Sequence, residues 1–381
     1  MAEPRATGVP AADRRPARIP GRRLRARALV AASWLACRLP ERPLLAAADL
    51  AGWLSYRLAP ARRRRARRNL LRIARWLAAH DTGPAVARAA ASDPRALSEL
   101  VRAAFRNQAR YYVQLARAPI VDRSYLDRWL VIDNAAEVDA VLTAPGGKLF
   151  VGMHLGWFEL PALIAAYRSG RAAVVPSETL GDPDLQAYMV RTRQKLGLEL
   201  IELRGAKRRL REALERGETV GLLGDRDITG GGIETELFGA PAPLAAGPAL
   251  LALETGVTPQ VFGVWRDAAG VYHARSEAVP FRADGTRRER VTAWLEDAAG
   301  AFERHIAVAP EQWLAVFHPI WPDLEGEPAR PARQPHRAAH VRPARPAGPA
   351  RQPRHPRRVA NEAAIDLAGD AEPQRKPEPA L

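Results

Sequence analysis

Apolar residues along this 381-residue chain change their spacing near residue 116. Before that point they recur at helical spacing, most clearly over 97–116, and this spacing predicts helices. After it, short apolar runs alternate with amphipathic stretches. The runs predict strands at 148–153, 172–176, 198–202, 219–223, 259–265 and 271–276, and the stretches predict helices at 157–168, 183–196, 206–216, 245–255 and 286–307.

Alternating strands and helices are typical of α/β proteins, so we predict a mostly parallel sheet flanked by helices, over a core that spans 76–323. The last strand is expected to differ. Residues 267–270 have the composition of a tight turn, which would pair strand 271–276 antiparallel with strand 259–265. Residues 1–22 and 324–381 are rich in Arg, Pro and Ala, and this composition predicts disorder at both ends.

The net charge of +16 is concentrated at the N-terminus. Residues 1–75 hold 19 arginines and 4 acidic residues, and residues 325–381 hold 11 Arg or Lys and 7 acidic residues, which leaves 76–324 close to neutral. Within 23–75 the arginines alternate with apolar runs. This pattern predicts an amphipathic helical hairpin on an anionic membrane surface, rather than nucleic-acid binding. A solvated basic face is the alternative.

A membrane-spanning helix is not predicted, because spanning takes roughly 20 apolar residues and charges and prolines at 38–43 interrupt the apolar stretch. A secretory signal peptide competes with the hairpin, but no small-x-small cleavage site follows directly. Cys37 is the single cysteine, which excludes an internal disulfide and a multi-cysteine metal site.

One histidine follows an apolar strand pattern directly. His154 comes after strand 148–153, and Glu159 follows five residues later, past Gly156. A histidine at the carboxyl edge of an α/β sheet lies where such sheets bind ligands. We expect Glu159 to lie about one turn into the next helix and to orient the ring, so that His154 acts as a general base for a hydroxyl. A satisfied histidine at a strand end is the alternative.

This segment and three others resemble the bacterial lipid A lauroyl/myristoyl acyltransferases, a family that includes the phosphatidylinositol mannoside acyltransferases. The blocks that carry the resemblance are Gly152–Leu160, Arg193–Ile201, Leu222–Gly232 with Leu237–Gly239 and Ala245–Ala249, and Pro310–Trp313 with Trp321-Pro322. The similarity runs from about Leu29 to Pro322. This chain has Trp157-Phe158 where the family usually has Asn-Trp before the acid.

The resemblance implies a glycerolipid-acyltransferase-like fold on the cytoplasmic face of the inner membrane. It implies transfer of a fatty acyl group from a coenzyme A or carrier-protein thioester to a glycolipid hydroxyl, without a cofactor or metal. His154 and Glu159 would be catalytic, with Asp225 in support. The remaining substrate-binding candidates are Gly156, Trp157, Arg193, Arg226 and Asp227.

Three of these substrate-binding candidates, and one glycine-rich segment, have a proposed role. Arg226 would stabilise the thioester oxyanion or a phosphate, and Arg193 would bind phosphates. Trp157 would line an acyl-chain groove, and the glycines after Thr229 would let backbone approach a ligand. The chain lacks the G-x-S-x-G pattern, which favours direct transfer over an acyl-enzyme.

Three other functions stay open at this point. Asp225-x-Asp227 after a strand is also typical of glycosyltransferases, in which the two carboxylates hold a divalent metal. A glycerophospholipid acyltransferase would share the histidine–acid motif, usually with an aspartate as the acid. A non-enzymatic basic protein would bind membranes or nucleic acid through its N-terminal arginines.

Overall fold

Helices account for the first hundred residues that the computed structural model describes. The described residues are 22–177, 182–203, 205–228 and 230–325. All of them belong to a single compact unit of the chain. The disorder predicted at 1–22 and 324–381 therefore falls almost entirely outside the described residues.

Three helices open the described chain, where the sequence analysis predicted a two-helix hairpin. They are α1 (Arg22–Ala36), α2 (Glu41–Leu58) and α3 (Pro60–Ala79). Residue 75, the predicted end of the hairpin, lies inside α3. The later helices are α4 (Ala85–Ala89), α5 (Pro94–Arg117), α6 (Arg123–Trp129), α7 (Ala135–Thr143), α8 (Leu160–Ser169), α9 (Pro183–Lys195), α10 (Ala206–Glu215), α11 (Gly247–Thr255) and α12 (Arg287–Val308).

Seven of the nine described strands form one sheet, in the order β1-β9-β8-β2-β5-β3-β4. The strands are β1 (Leu130–Ile132), β2 (Lys148–Gly152), β3 (Ala173–Ser177), β4 (Leu198–Glu202), β5 (Thr219–Leu223), β6 (Ile233–Leu237), β7 (Ala240–Leu244), β8 (Gln260–Arg266) and β9 (Tyr272–Ala278). Every pairing in this sheet is parallel except that of β8 with β9. The predicted α/β fold and the antiparallel last strand are confirmed.

Three strands were missed. β1 has only three residues, too few for a periodic pattern. β6 and β7 form a separate antiparallel hairpin, and prolines at 241 and 243 hide β7 from pattern reading. The predicted helix at 157–168 begins at Leu160 instead, because residues 157–159 form a turn.

Helix α3 is part of the core. Leu70, Ile73 and Leu77 on its inner face are fully buried. Arginines on its outer side contact the end of the described chain: Arg65 Nη2 lies 2.8 Å from Glu325 Oε2, and Arg72 pairs with Asp323. Part of the positive charge of residues 23–75 is therefore neutralised within the protein.

Helix α2 crosses α5 at a glycine. A Cβ on Gly52 would lie 2.7 Å from the Cα of Arg106, so only a glycine permits this approach. The opposite face of α2 points to solvent and carries four exposed apolar residues at helical spacing, Leu50, Trp53, Leu54 and Leu58. Within the described part of the chain, none of the helices has the length and apolarity that crossing a membrane requires.

Candidate active site

The site begins where two neighbouring strands end. β2 and β5 pair in parallel, with Gly152 opposite Leu223. Two residues further along each chain come His154 and Asp225, so the register of the sheet brings them side by side at its carboxyl edge. The sequence analysis predicted both residues for this edge.

His154 and Asp225 make two contacts. The ring Nδ1 lies 2.8 Å from Asp225 Oδ1, and the backbone N–H of His154 donates to Asp225 Oδ2 at 2.9 Å. A carboxylate only accepts hydrogen bonds, so Nδ1 carries the proton and Nε2 of the neutral ring keeps its lone pair. The His154 side chain is 19% exposed, whereas that of Asp225 is fully buried. The pair therefore presents a basic nitrogen backed by a buried charge.

The pair shifts the pKa of both its members. Burial lowers the pKa of His154, but the charge and hydrogen bond of Asp225 outweigh burial and raise this pKa above its ordinary value. Burial raises the pKa of Asp225, but the charge and hydrogen bonds of His154, with a further bond from Trp313, lower it below its ordinary value. Asp225 thus stays ionised and favours the protonated imidazole.

Glu159 does not orient the imidazole, contrary to the expectation from sequence. The turn at 157–159 places it at the start of α8, one turn earlier than expected. Its Oε1 accepts from the Tyr111 hydroxyl at 2.9 Å and from Arg193 Nη2 at 3.4 Å. Its influence on His154 is electrostatic, since its charge contributes to raising the pKa of that ring.

Aromatic rings and the guanidinium of Arg193 surround Glu159. Burial raises its pKa, while Arg193 and the Tyr111 hydroxyl oppose that rise. Phe158 stacks on the Tyr111 ring at 5.4 Å and meets the His154 ring edge-on at 5.2 Å. The structure therefore brings the predicted Arg193 into the site and adds Tyr111, which sequence reasoning missed because it lies in an ordinary amphipathic helix.

Gly156 and Trp157 are both closely packed against other parts of the protein. Gly156 has a φ of +56°, and a Cβ there would lie 2.3 Å from the carbonyl oxygen of Val264. Trp157 is 1% exposed and packs edge-on against Tyr125 and Tyr272 in the core. Trp157 is nevertheless among the residues that line two cavities of the protein, and its role in an acyl-chain groove stays a prediction.

The predicted acidic pair divides between two tasks. Asp225 faces His154, whereas Asp227 accepts the backbone N–H groups of Gly230 and Gly232 at 2.9 and 2.8 Å and shapes the loop. Thr229 lies outside the described residues. Arg226 is partly buried, and its charge lowers the pKa of His154. Among the described residues, no three His, Cys, Asp or Glu side chains are grouped so that they could hold a metal ion.

A fold and a histidine–carboxylate pair of this kind suit acyl transfer to a hydroxyl, and comparison with known proteins identifies the family. The family model for bacterial lipid A biosynthesis acyltransferases matches residues 17–322. The chain belongs to this family, so it is an O-acyltransferase of glycolipid biosynthesis. The resemblance stated from the sequence blocks is confirmed, and the glycosyltransferase and non-enzymatic alternatives are set aside.

Curated relatives point the same way. The chain is 30% identical over 288 residues to a phosphatidylinositol mannoside acyltransferase of Mycobacterium tuberculosis (strain ATCC 25618 / H37Rv), an alignment that covers 71% of this chain and 86% of the relative. It is 28% identical over 238 residues to a phosphatidylinositol mannoside acyltransferase of Mycolicibacterium smegmatis (strain ATCC 700084 / mc(2)155), covering 60% of this chain and 75% of the relative.

Proposed function

We propose that His154 is the general base of a direct acyl transfer from a thioester to a glycolipid hydroxyl. The observation that carries the proposal is the 2.8 Å contact of His154 Nδ1 with Asp225, which leaves Nε2 as the acceptor. Nε2 removes the hydroxyl proton as the oxygen attacks the thioester carbonyl. The carbon–sulfur bond then breaks, and the imidazolium returns the proton to the departing thiolate.

Arg226 supplies positive charge for the oxyanion of this reaction. It follows Asp225 directly in the chain, and its charge acts on the His154 ring. A preorganised cation at a developing oxyanion stabilises the transition state more than the ground state. Arg193 ties Glu159 to α9 and presents a guanidinium that is 19% exposed, which suits a phosphate of donor or acceptor.

The acceptor we propose is a phosphatidylinositol mannoside or a lipid A-like glycolipid, and the donor is acyl-coenzyme A or an acyl carrier protein. The acceptor follows from the activity named for the two mycobacterial relatives. No cofactor or metal enters the proposed reaction, because the base and the charges come from side chains.

We place the protein on the cytoplasmic face of the inner membrane, as a peripheral protein. Support comes from the outer face of α2, where Trp53 and Leu54 are 46% and 43% exposed, and from Trp34 of α1, which is 57% exposed. Arg38 lies over the Trp34 ring at 3.5 Å and Arg57 over the Trp53 ring at 5.1 Å. Exposed tryptophans beside arginines are typical of surfaces that bind anionic membranes.

The test is thiol release from long-chain acyl-coenzyme A, with phosphatidylinositol mannoside or lipid A precursor as acceptor and with excess chelator. We expect release that depends on acceptor, and a loss of about 10²- to 10⁴-fold in His154→Ala. His273→Ala is the matched control, because His273 Nδ1 also lies 2.8 Å from a carboxylate, that of Asp133. Equal activity of His154→Ala and wild type would refute the proposed base. Release only from acyl carrier protein would identify the donor.

A further inference from the structure

Trp313 has a buried contact for which neither the fold nor the proposed reaction gives a reason. It lies in the block Pro310–Trp313, and its side chain is fully buried. Its indole Nε1 donates to Asp225 Oδ2 at 2.8 Å, across 88 residues of chain. The indole therefore reaches the acid that backs the proposed base.

The main chain beside Trp313 also holds the base. Leu155 and Trp313 form an isolated antiparallel bridge, and the Leu314 N–H donates to the His154 carbonyl oxygen at 2.7 Å. The Gly156 N–H donates to the Gln312 carbonyl oxygen at 3.1 Å. The segment 312–314 thus runs along the turn that carries His154, and fixes Trp313 relative to it.

Two other fully buried tryptophans donate their indole N–H to a backbone carbonyl oxygen instead of a carboxylate. Trp321 donates to the Leu237 carbonyl oxygen at 3.0 Å, and Trp294 donates to the Val279 carbonyl oxygen at 2.8 Å. Those bonds satisfy a buried N–H with a backbone acceptor. Trp313 instead donates to an ionised side chain, a charge-assisted bond of the stronger kind.

We propose that Trp313 is a positioning residue for the reaction, which fixes the carboxylate of Asp225 so that Oδ1 faces the His154 ring. Oδ2 receives both the Trp313 indole and the His154 backbone N–H, and this leaves Oδ1 for Nδ1. With three donors on two oxygens, the carboxylate has one orientation that satisfies all of them. The inference rests on the proposed role of His154 as base.

Loss of the indole N–H has two expected effects. The carboxylate gains freedom to rotate, so the ring spends less time in its productive tautomer and kcat falls. The carboxylate also has one donor fewer, so its charge acts more strongly on the imidazolium, and the pKa of His154 moves upward. The other groups that act on this ring, Arg226, Glu159 and His318, are unchanged. KM stays constant, because the buried indole does not meet substrate.

The experiment compares Trp313→Phe with Trp321→Phe in the full chain, using the thiol-release assay across pH. Trp321 is the matched control, since it is equally buried and packs against Trp313 with ring centroids 6.3 Å apart. We expect Trp313→Phe to lose about tenfold in kcat, the scale of one hydrogen bond to a charged group. Its kcat/KM profile should shift to higher pH, while Trp321→Phe keeps the wild-type kcat and profile.

Two further variants separate positioning from packing. In Asp225→Asn the acid is already neutral, so adding Trp313→Phe should cause no additional loss in kcat. Trp313→His keeps a ring N–H at the matching position while removing the six-membered ring, so it should be less stable than Trp313→Phe yet retain more kcat.

Equal losses in Trp313→Phe and Trp321→Phe with an unshifted profile would overturn the inference, as would a full additional loss in the Asp225→Asn background. An active His154→Ala would instead refute the proposed function.

Discussion

Asp225 accepts two hydrogen bonds from His154, one from the ring and one from the backbone, although 71 residues separate the two in the chain. The double contact fixes both the position and the tautomer of the imidazole. It also means that the pKa of the His154 ring is raised chiefly by Asp225, which follows the neighbouring strand β5, with a smaller contribution from the charge of Glu159.

Asp225→Asn should lower kcat by about 10²- to 10⁴-fold and shift the pH profile to lower pH. In the wild type the pKa of His154 is raised above the ordinary value of a histidine, so activity should increase as the pH rises through this raised pKa and the ring loses its proton. In Asp225→Asn the carboxylate charge is absent. Burial and the charge of Arg226, which both lower the pKa of His154, are then no longer opposed from residue 225. The measurement is kcat/KM as a function of pH, and an unchanged profile in Asp225→Asn would contradict the assignment.

Arg193→Leu should destabilise the protein by about 2 kcal/mol at pH 7.5, because it leaves the buried Glu159 without its cation. The loss should shrink toward pH 5. Burial raises the pKa of Glu159, and Arg193 opposes that rise. Removing Arg193 therefore raises the pKa of Glu159 further. As the pH falls, Glu159 becomes neutral in the variant and no longer needs a cation, so the loss of stability decreases. Denaturant unfolding at the two pH values measures this. Arg191→Leu is the control, since Arg191 is exposed on the same helix; an equal loss in both variants would exclude the ion pair as the cause.

Gly156→Ala should cost about 3 kcal/mol or more of folding stability, since it combines a positive φ with a clash against the Val264 carbonyl. Gly170→Ala separates the two effects. Gly170 has a φ of +68°, and a Cβ there would meet no atom within 4 Å, so the cost should be only about 1 kcal/mol. Thermal or denaturant unfolding of the two variants gives the comparison, and similar costs would show that the close approach is unimportant.

Trp53→Ser with Leu54→Ser should weaken binding to vesicles of phosphatidylglycerol and phosphatidylcholine by at least about tenfold, while thiol release from short-chain soluble substrates persists. Val86→Ser is the control, since Val86 is 57% exposed on a different helix. Cosedimentation at low and high salt measures both the apolar and the electrostatic part. Equal binding by all three proteins would remove α2 from the membrane surface. Point substitutions are preferable to deleting residues 1–75, because that deletion would cut through the buried helix α3.

The sequence pattern predicted the helices and strands of the fold correctly where an apolar run was long enough to show its period. Strands β2 and β5 and the mostly parallel sheet around them followed from the apolar runs. The positions of His154 and Asp225 followed from the rule that such strands present ligand-binding residues at their carboxyl ends. The pairing of Glu159 was not accessible in this way. The partners of Glu159 depend on a three-residue turn that delays the start of α8. The spacing of apolar residues predicts a helix at this turn.

Contacts from distant segments were also beyond pattern reading. Tyr111 and Trp313 reach the site from α5 and from the end of the core, and their periodicity is that of ordinary buried residues. A block such as Pro310–Trp313 signals a shared family feature without showing which atom matters. Only the register of segment 312–314 against the turn after β2 shows that the indole meets Asp225.

The late position of Trp313 in the chain also sets the order in which the contacts of Asp225 can form during synthesis. A ribosome that has completed Asp225 must add 88 more residues before Trp313 exists. The segment that bonds the His154 main chain emerges at the same late stage. A nascent chain that already contains both His154 and Asp225 therefore lacks two of their hydrogen-bond partners, the Trp313 indole and the Leu314 backbone N–H, until the last part of the core is made.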